Sequence, residues 1–374
     1  METISWSNVL HRIEEDRTIN FIAEVITPLH VLGVEAFIMH LEETGVKCKG
    51  FILVVAHDSS GIILSKKAFH SDRYSNIEHY ILEQDDRKQD SVLGFYAGLK
   101  KDKGKGNTLY YASPFRPSVN KIPDIMRVRK NDRLRAVITE EGTASYLTTP
   151  YSFEKCKAIG WKVKDYVRFF WQSMLRNRFY EFKLGRKGKL ESFTLLKKQN
   201  GKYIRNDLCV RQFQKLLANK SIDNHYSVYE NAVVILPSLL YEAGIISKRE
   251  DLEIYKKIRN ALPNEKFVVK PHPREIDVQT YSVLDCVIEK ESKVSAEEIF
   301  ATMNVKPKCI IGDTGTAMVN IAVLYGIKTI AINKLINRDV LCQNDYFDGY
   351  NKVFGDIMSI PNTWDELETI LKEL

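Results

Sequence analysis

The chain has 374 residues, a length that fits two domains of ordinary size better than a single core. Apolar residues make up 44% of the sequence, and no apolar run approaches the roughly 20 residues that a membrane-spanning helix requires. The formal net charge is +7, which favours an anionic polymer or an anionic membrane surface as a partner. The opening segment METISWSNVL lacks the charged-then-apolar order of a secretory signal, so we expect a cytoplasmic protein.

The six cysteines are scattered, and no two of them form a Cys-x-x-Cys pair. This spacing argues against a zinc site and against a disulfide framework, so we expect reduced and mostly buried thiols. No Asp-x-Asp triplet occurs in the sequence, and many sugar-nucleotide enzymes use that triplet to hold a bridging metal. We therefore expect no metal site. The cysteines are Cys48, Cys156, Cys209, Cys286, Cys309 and Cys342.

In the first half of the chain, short apolar strands alternate with helices, which is the pattern of a mostly parallel sheet wrapped by helices. An amphipathic helix is expected at 31–43, with Pro28 in the first turn, and apolar residues at helical spacing indicate another helix at 161–183. The strands of this half are expected at 21–26, 51–56, 107–112 and 136–139.

A polar, irregular stretch at 207–229 is expected to link this half to a second alternating unit. Capping boxes that begin at Ser247 and Ser295 predict two helix starts, and Gly326 predicts a helix end. The predicted fold class is α/β, with two Rossmann-like domains that face a cleft. We expect these domains at 1–215 and 230–355, with a last helix in 356–374 that packs back on the first domain. The strands of the second unit are expected at 232–237, 266–270, 308–312 and 328–332, and its helices at 251–262, 316–325 and 364–374.

The first candidate catalytic motif is Glu140-Glu141-Gly142, directly after the strand at 136–139. Ligands of open α/β sheets bind beyond the carboxyl ends of strands, which is where both carboxylates are expected. Adjacent carboxylates repel, so a desolvated one should have a raised pKa that suits proton abstraction, while the other can stay ionised or cap a helix. A solvated acidic turn is the structural alternative.

The second motif, Lys270-Pro271-His272-Pro273-Arg274, follows another strand. The two prolines fix φ on both sides of the histidine and so aim its imidazole. Lys270 and Arg274 add positive charge, which suits phosphate binding. A rigid strand-ending loop with an exposed histidine is the alternative.

The third motif, Gly312-Asp313-Thr314-Gly315-Thr316, joins a strand to a helix. Small residues leave backbone N–H groups open at a helix N-terminus, and two threonine hydroxyls lie beside them, an arrangement that binds phosphate. The same loop can also cap the following helix.

In their order along the chain, these motifs resemble those of the bacterial sialyltransferases, and the length and basic content are most similar to the capsule polysialyltransferases. The segment from Ile26 to His30, with Pro28-Leu29, is also similar to a segment near the start of those proteins. The resemblance implies a GT-B fold, CMP-sialic acid as donor, inversion at the anomeric carbon, and neither metal nor cofactor.

The resemblance also implies residue roles. Glu140 or Glu141 would be the general base, with a narrow preference for Glu141. His272 would protonate or hydrogen-bond the departing CMP phosphate, which Thr314 and Thr316 would bind. The candidate donor-binding residues are Lys270, Pro273, Arg274, Gly312, Asp313, Thr314, Gly315 and Thr316.

A growing polysialic acid carries one carboxylate per sugar, and a groove lined by basic residues would hold it. We expect acceptor contacts from His30, Arg127, Arg129 and Lys130, although solvated helix faces explain basic clusters equally well. The basic and aromatic stretch Arg176 to Lys189 could instead rest on the cytoplasmic face of the inner membrane, or on a capsule complex.

Three other functions remain open at this point. A sialyltransferase could act on a galactose-ended lipooligosaccharide instead. A CDP-glycerol-type glycerophosphotransferase also pairs a His-Pro motif with a Ser/Thr loop, but it needs a histidine-like base. A non-catalytic protein that binds polyanions is the third. We expect no nucleic acid partner, because the sequence has neither a known nucleic-acid motif nor a stacking platform.

Overall fold

The computed structural model describes most of the chain, which divides into two compact units. Unit 1 comprises Met1–Glu141, Val163–Lys197 and Asn206–Leu216, and unit 2 comprises Gly142–Lys162, Lys198–Arg205 and Leu217–Leu374. The chain therefore passes between units more than once, whereas the sequence predicted a single linker. The described residues are 1–55, 69, 74, 76–83, 107–114, 133–143, 146–147, 162–164, 167, 171, 186, 188–218, 224–238, 247–272, 275, 277–289, 294–336 and 341–374.

Unit 1 contains a parallel sheet in which, among the described residues, seven strands have the order β1-β4-β3-β2-β5-β6-β7. From β2 onward this is the Rossmann order, with the chain reversing direction across the sheet between β2 and β5. Fully buried side chains such as Ile22, Phe51 and Leu134 pack in its core. The strands are β1 (Glu2–Ile4), β2 (Phe21–Val25), β3 (Gly50–Val55), β4 (Ile77–Leu82), β5 (Leu109–Ser113), β6 (Leu134–Thr139) and β7 (Leu190–Phe193).

Three described helices accompany this sheet: α1 (Trp6–Glu15), α2 (Pro28–Glu43) and α3 (Asp207–Leu217). Thr27 caps α2 by accepting from the His30 N–H, and Pro28 occupies the first turn as expected. The expected amphipathic character of this helix is wrong, because its residues from position 30 to 38 are all buried. Helix α3 replaces the start of the linker expected at 207–229.

Unit 2 contains a second parallel sheet, with the order β12-β11-β10-β13-β14 among the described residues. This is again the Rossmann order, so the expected α/β class with two Rossmann-like units, the composition of a GT-B enzyme, is confirmed. The strands are β10 (Val233–Leu236), β11 (Phe267–Val269), β12 (Val287–Ile288), β13 (Cys309–Gly312) and β14 (Thr329–Ala331), and a separate hairpin pairs β8 (Leu196–Gln199) with β9 (Lys202–Arg205).

Two helix starts and one helix end in unit 2 lie where local sequence chemistry predicts them. Both capping boxes form, with Ser247 and Ser295 each accepting from the backbone N–H three residues later. Gly326 ends its helix in the left-handed conformation at φ 65°. The helices are α4 (Lys248–Ala261), α5 (Ala296–Thr302), α6 (Thr316–Tyr325), α7 (Leu341–Phe354) and α8 (Trp364–Lys372), and 3-10 turns occupy Asn224–Tyr229 and Val278–Leu284.

The last helix differs from expectation in its packing. Leu367 and Leu371 of α8 are buried in the core of unit 2, beside Ile330 and Ile332. We expected this helix to pack on the first domain, and that expectation is wrong, because helix size alone does not identify the surface that a helix covers. None of the described helices is long and apolar enough to cross a lipid bilayer.

Candidate active site

The carboxyl edge of the second sheet collects most of the predicted donor-binding residues. Strand β10 lies between β11 and β13, so Lys270 follows one neighbour of β10 and Asp313 follows the other. The Rossmann switch point lies between β10 and β13, which is where such sheets bind nucleotides. Ser238, which follows β10, donates a short hydrogen bond from its hydroxyl to Asp313 Oδ2 across that point.

Asp313 is an internal anchor of the loop that joins β13 to α6, the third motif at 312–316, which we call the donor loop. Its side chain is buried, and its second oxygen, Oδ1, accepts from the backbone N–H of Thr314. Burial raises the pKa of the Asp313 carboxyl, and the hydrogen bonds from Ser238 and Thr314 oppose that rise. The Thr314 N–H is therefore already hydrogen-bonded within the loop, whereas the sequence predicted that it would be open to a ligand. Asp313 shapes the loop from inside.

Helix α6 starts directly after this loop. Its N-cap residue is Gly315, which has no side chain that could cap the first turn. N–H groups at the start of a helix attract anions, because they are unpaired within the helix and lie at the positive end of its dipole. Thr314 is nearly buried and Thr316 is half-buried at this point. Phosphate binding by this loop stays a prediction, with the start of α6 as its structural basis.

Lys270 lies in a mostly acidic surrounding. The side chain is buried, and desolvation lowers its pKa, while Glu297, Glu289 and Glu298 raise it. Glu297 is itself fixed to α6, since its Oε1 accepts from Asn320 Nδ2 at 2.7 Å. These carboxylates therefore only partly offset the effect of burial on the Lys270 ammonium at the end of β11, a setting not expected from the sequence.

His272 lies two residues beyond Lys270 and is half-buried. Its carbonyl oxygen accepts from the Glu275 N–H at 2.9 Å, which closes the loop after β11 into a turn. His272 thus follows β11 at the carboxyl edge of the sheet, the edge at which the donor loop follows β13. Pro273 and Arg274 lie outside the described residues.

The two carboxylates of the first motif have different environments. Glu140 is completely buried, and its Oε2 accepts from the Leu195 N–H at 2.8 Å. A buried carboxylate that binds the backbone in this way is committed to structure, because its removal would leave a buried donor unpaired. Glu141 is half-buried. The pair is therefore divided into an inner carboxylate and an outer one.

Gly142 and Thr143, which follow this pair, rest on Thr316. The Thr143 N–H donates to Thr316 Oγ1 at 3.3 Å, and the two threonine hydroxyls lie 3.2 Å apart. Gly142 has φ +109°, and a Cβ there would lie 2.4 Å from Thr316 Cγ2. Only glycine fits this position, both in conformation and in space. The first and third motifs are thus joined through residues 142, 143 and 316 of unit 2.

Of the four predicted acceptor residues, the structure describes only His30. His30 is only 4% exposed, and its Nδ1 accepts from the Ile26 N–H at 3.2 Å. Burial lowers the pKa of His30 to about 4, so the ring is neutral near pH 7. The His30 ring lies inside the turn between β2 and α2, so the expected contact of His30 with the acceptor is wrong. Arg127, Arg129 and Lys130 lie outside the described residues.

Three residues that sequence reasoning missed take part in this arrangement. Ser238 holds Asp313, Thr143 holds Thr316, and Leu195 provides the N–H that binds Glu140. Ser238 carries a usable signal, since a polar residue after an apolar strand marks a carboxyl edge. The other two depend on long-range packing and have no local signal.

The family comparison bears on the enzyme class. The profile of the alpha-2,8-polysialyltransferase (POLYST) family matches residues 100–334, which is more than half of the chain. The chain belongs to the alpha-2,8-polysialyltransferase family. It is therefore a glycosyltransferase of the sialyl-transferring class, which confirms the resemblance seen in the motifs and sets aside a non-catalytic polyanion-binding protein. No curated protein sequence matches the chain.

Solved structures with a similar fold include two bacterial sialyltransferases. The GT-B domain of a sialyltransferase from Photobacterium damselae is 11% identical, and the match covers 91% of this chain and 100% of that one, with a TM-score of 0.42. An alpha/beta-galactoside alpha-2,3-sialyltransferase from Photobacterium phosphoreum is 9% identical over 91% and 98% of the two chains, with a TM-score of 0.46. The wall teichoic acid polymerase TagF is 13% identical over 96% and 80%, also with a TM-score of 0.46.

Proposed function

We propose that this polysialyltransferase family member takes sialic acid from CMP-sialic acid and adds it, with inversion and without a metal, to the end of a polysialic acid chain for a capsule. Family membership supports the reaction class. The observation that carries the assignment of roles is the contrast between Glu140, which is buried and bound to Leu195, and Glu141, which is half-buried.

Glu141 is the general base in this proposal. The acceptor hydroxyl gives its proton to the Glu141 carboxylate while its oxygen attacks the anomeric carbon. The bond from that carbon to the CMP phosphate breaks on the opposite side, and its electrons leave with the phosphate. A positioned base contributes about 10² to 10⁴ in rate.

The donor loop holds the leaving phosphate in this proposal. The N–H groups at the start of α6 and the Thr314 hydroxyl bind its oxygens, and His272 donates a hydrogen bond or a proton to it. Lys270 adds positive charge at the same sheet edge. Asp313 and Thr316 keep the loop in shape, since both side chains already have partners within unit 2.

The decisive experiment supplies the purified protein with CMP-sialic acid and a sialyl oligomer, and measures released CMP together with the length of the product. The proposal predicts CMP release coupled to chain elongation, at an unchanged rate after treatment with EDTA. Elongation only of galactose-ended acceptors would overturn the polysialic acid assignment. A rate that EDTA abolishes and added metal restores would overturn metal independence. Turnover of CDP-glycerol without turnover of CMP-sialic acid would overturn the donor.

We also propose that the protein rests on the anionic cytoplasmic face of the inner membrane. Support comes from three apolar residues four positions apart in the sequence, Val163, Val167 and Trp171, which are 61%, 57% and 61% exposed. Lys162 and Lys164 are exposed beside them, and basic charge complements anionic lipid. Cosedimentation with phosphatidylglycerol vesicles should exceed that with phosphatidylcholine vesicles, and Trp171→Ala should weaken it. Equal sedimentation with both lipids would refute this contact. Most of Arg176 to Lys189 lies outside the described residues.

A further inference from the structure

The charged side chains of the hairpin β8–β9 are all basic. Its ten residues, Leu196 to Arg205, include four basic residues and no acidic residue. All four basic side chains are exposed. Lys202 Nζ pairs with Asp356 Oδ2 at 2.9 Å, whereas neither Lys197 nor Lys198 forms an ion pair with any residue that the structure describes. The basic residues are Lys197, Lys198, Lys202 and Arg205.

The conformation of the hairpin is fixed by its turn and by one aromatic contact. Asn200 and Gly201 both have positive φ, at 49° and 82°, which is the two-residue turn that matches the twist of paired strands. The Tyr203 ring lies edge-on to Tyr146 at 5.4 Å, and its hydroxyl donates to the Tyr146 carbonyl at 3.2 Å. Lys198 Nζ lies 5.9 Å from the centre of the Tyr203 ring. The basic side chains are thus carried on an ordered ribbon.

The base of the hairpin is attached to the first catalytic motif. Glu140 accepts from the Leu195 N–H at 2.8 Å, immediately before β8 begins. Asn206, immediately after β9, closes the base through its own N–H to the Leu195 carbonyl at 2.8 Å and its Nδ2 to the Thr194 carbonyl at 2.9 Å. The hairpin therefore starts and ends next to the residue that precedes the proposed base, Glu141.

We propose that this hairpin is an acceptor subsite, which binds the carboxylates of the anionic sialyl chain near its growing end. The inference rests on the proposed function. Successive side chains of a strand point to opposite faces, so Lys197 and Lys198 offer positive charge on both faces of the ribbon to the carboxylates of the sialyl chain. Exposed ion pairs are individually weak and are screened by salt. Several weak contacts together hold the polymer, and because each is weak, the polymer can still move along the hairpin after each sugar is added.

The test compares two double variants that each remove two exposed lysine charges. Lys197→Ala/Lys198→Ala changes the hairpin, and Lys47→Ala/Lys372→Ala is the control at exposed positions elsewhere. We expect the hairpin variant to raise the KM for a long polysialyl acceptor about 3-fold to 30-fold, and to raise it less for a disialyl acceptor. The control should keep the wild-type ratio of the two KM values. Lys198→Glu should raise the long-chain KM further than Lys198→Ala.

Ionic strength provides a second readout. The KM of the wild-type protein for the long acceptor should rise steeply with salt, and the hairpin variant should show a shallower dependence. A hairpin variant whose KM ratio and salt dependence match those of the control would overturn the subsite, while sialyl transfer itself would stand. Failure of the wild-type protein to transfer sialic acid from CMP-sialic acid to any sialyl acceptor would instead overturn the proposed function, and the subsite with it.

Discussion

Gly142→Ala is the substitution with the most clearly defined structural consequence. Gly142 has φ +109°, and an added methyl group would lie 2.4 Å from Thr316 Cγ2 and 2.8 Å from Thr316 Oγ1. Real Cβ atoms do not approach neighbours this closely, so either the 142–143 turn or the start of α6 must move. That movement would separate the Thr143 N–H from Thr316 Oγ1, which are 3.3 Å apart in the native protein.

Two contributions determine the stability that Gly142→Ala should lose. A non-glycine residue at a sparsely populated φ costs about 1–3 kcal/mol. Overpacking against a neighbour adds about 1–3 kcal/mol, which includes the loss of any hydrogen bond that the movement breaks. We expect the free energy of unfolding to fall by about 2–6 kcal/mol in total. The proposed base precedes this glycine, so we also expect kcat to fall while the KM for CMP-sialic acid changes less.

Urea unfolding measures the stability change, and Gly326→Ala provides a matched control in the same unit. Gly326 also has a positive φ, +65°, but nothing lies within 4 Å of an added Cβ. Its substitution should cost only about 1–2 kcal/mol. The comparison isolates the contact with Thr316 from the backbone term.

Thr316→Ala completes a double-mutant cycle. Removal of both outer atoms of Thr316 creates space for the methyl group added at position 142, so the double variant should be more stable than the sum of the single effects predicts, by about 1–2 kcal/mol. Additive effects, or a loss in Gly142→Ala no larger than in Gly326→Ala, would refute the reasoning that the first and third motifs are packed together.

Three further predictions concern buried groups. Burial lowers the pKa of His30 from 6.5 to about 4. As the pH falls, the unfolded chain therefore binds the proton first, and the free energy of unfolding should decrease by about 2 kcal/mol between about pH 7.5 and about pH 5. His30→Asn can still accept from the Ile26 N–H and should remove this loss in urea titrations, whereas an equal loss in both proteins would contradict it. Lys270→Met should lower the free energy of unfolding more in the wild-type protein than in a Glu297→Gln background, because the Glu297 carboxylate favours the charged ammonium; equal losses in both backgrounds would argue against this electrostatic coupling. Ser238→Ala should weaken CMP binding in calorimetry and lower the free energy of unfolding by about 1.5–3 kcal/mol, since Asp313 loses a hydrogen-bond donor. Unchanged CMP binding would show that Ser238 does not support the donor loop.

The elements of unit 2 were predictable because their ends carry local chemistry. Ser247 and Ser295 each satisfy a backbone N–H at a helix start, and Gly326 takes a conformation that other residues avoid. These signals act over four or five residues, so sequence alone identifies them. The carboxyl-edge positions of Lys270 and Asp313 followed in turn from the strand predictions.

Other features depend on packing that the sequence does not display. Helix α3 was hidden by its polar face, although Cys209, Val210 and Phe213 are buried at helical spacing. The packing surface of α8 was unpredictable for the same reason, because an apolar stripe does not name its partner. The different environments of Glu140 and Glu141 likewise depend on a backbone N–H 55 residues away. The sequence preference for Glu141 was narrow, and burial now supplies its physical reason.

The central claim is that Glu141 is the base and Glu140 is a structural carboxylate. Its most direct test measures polysialic acid elongation by Glu141→Gln and Glu140→Gln side by side, with the unfolding midpoint of each. We predict that Glu141→Gln loses about 10²-fold or more in kcat at an unchanged midpoint. Glu140→Gln, whose amide oxygen can still accept from the Leu195 N–H, should keep most of its activity. The reverse result, an active Glu141→Gln and an inactive but fully folded Glu140→Gln, would contradict the account.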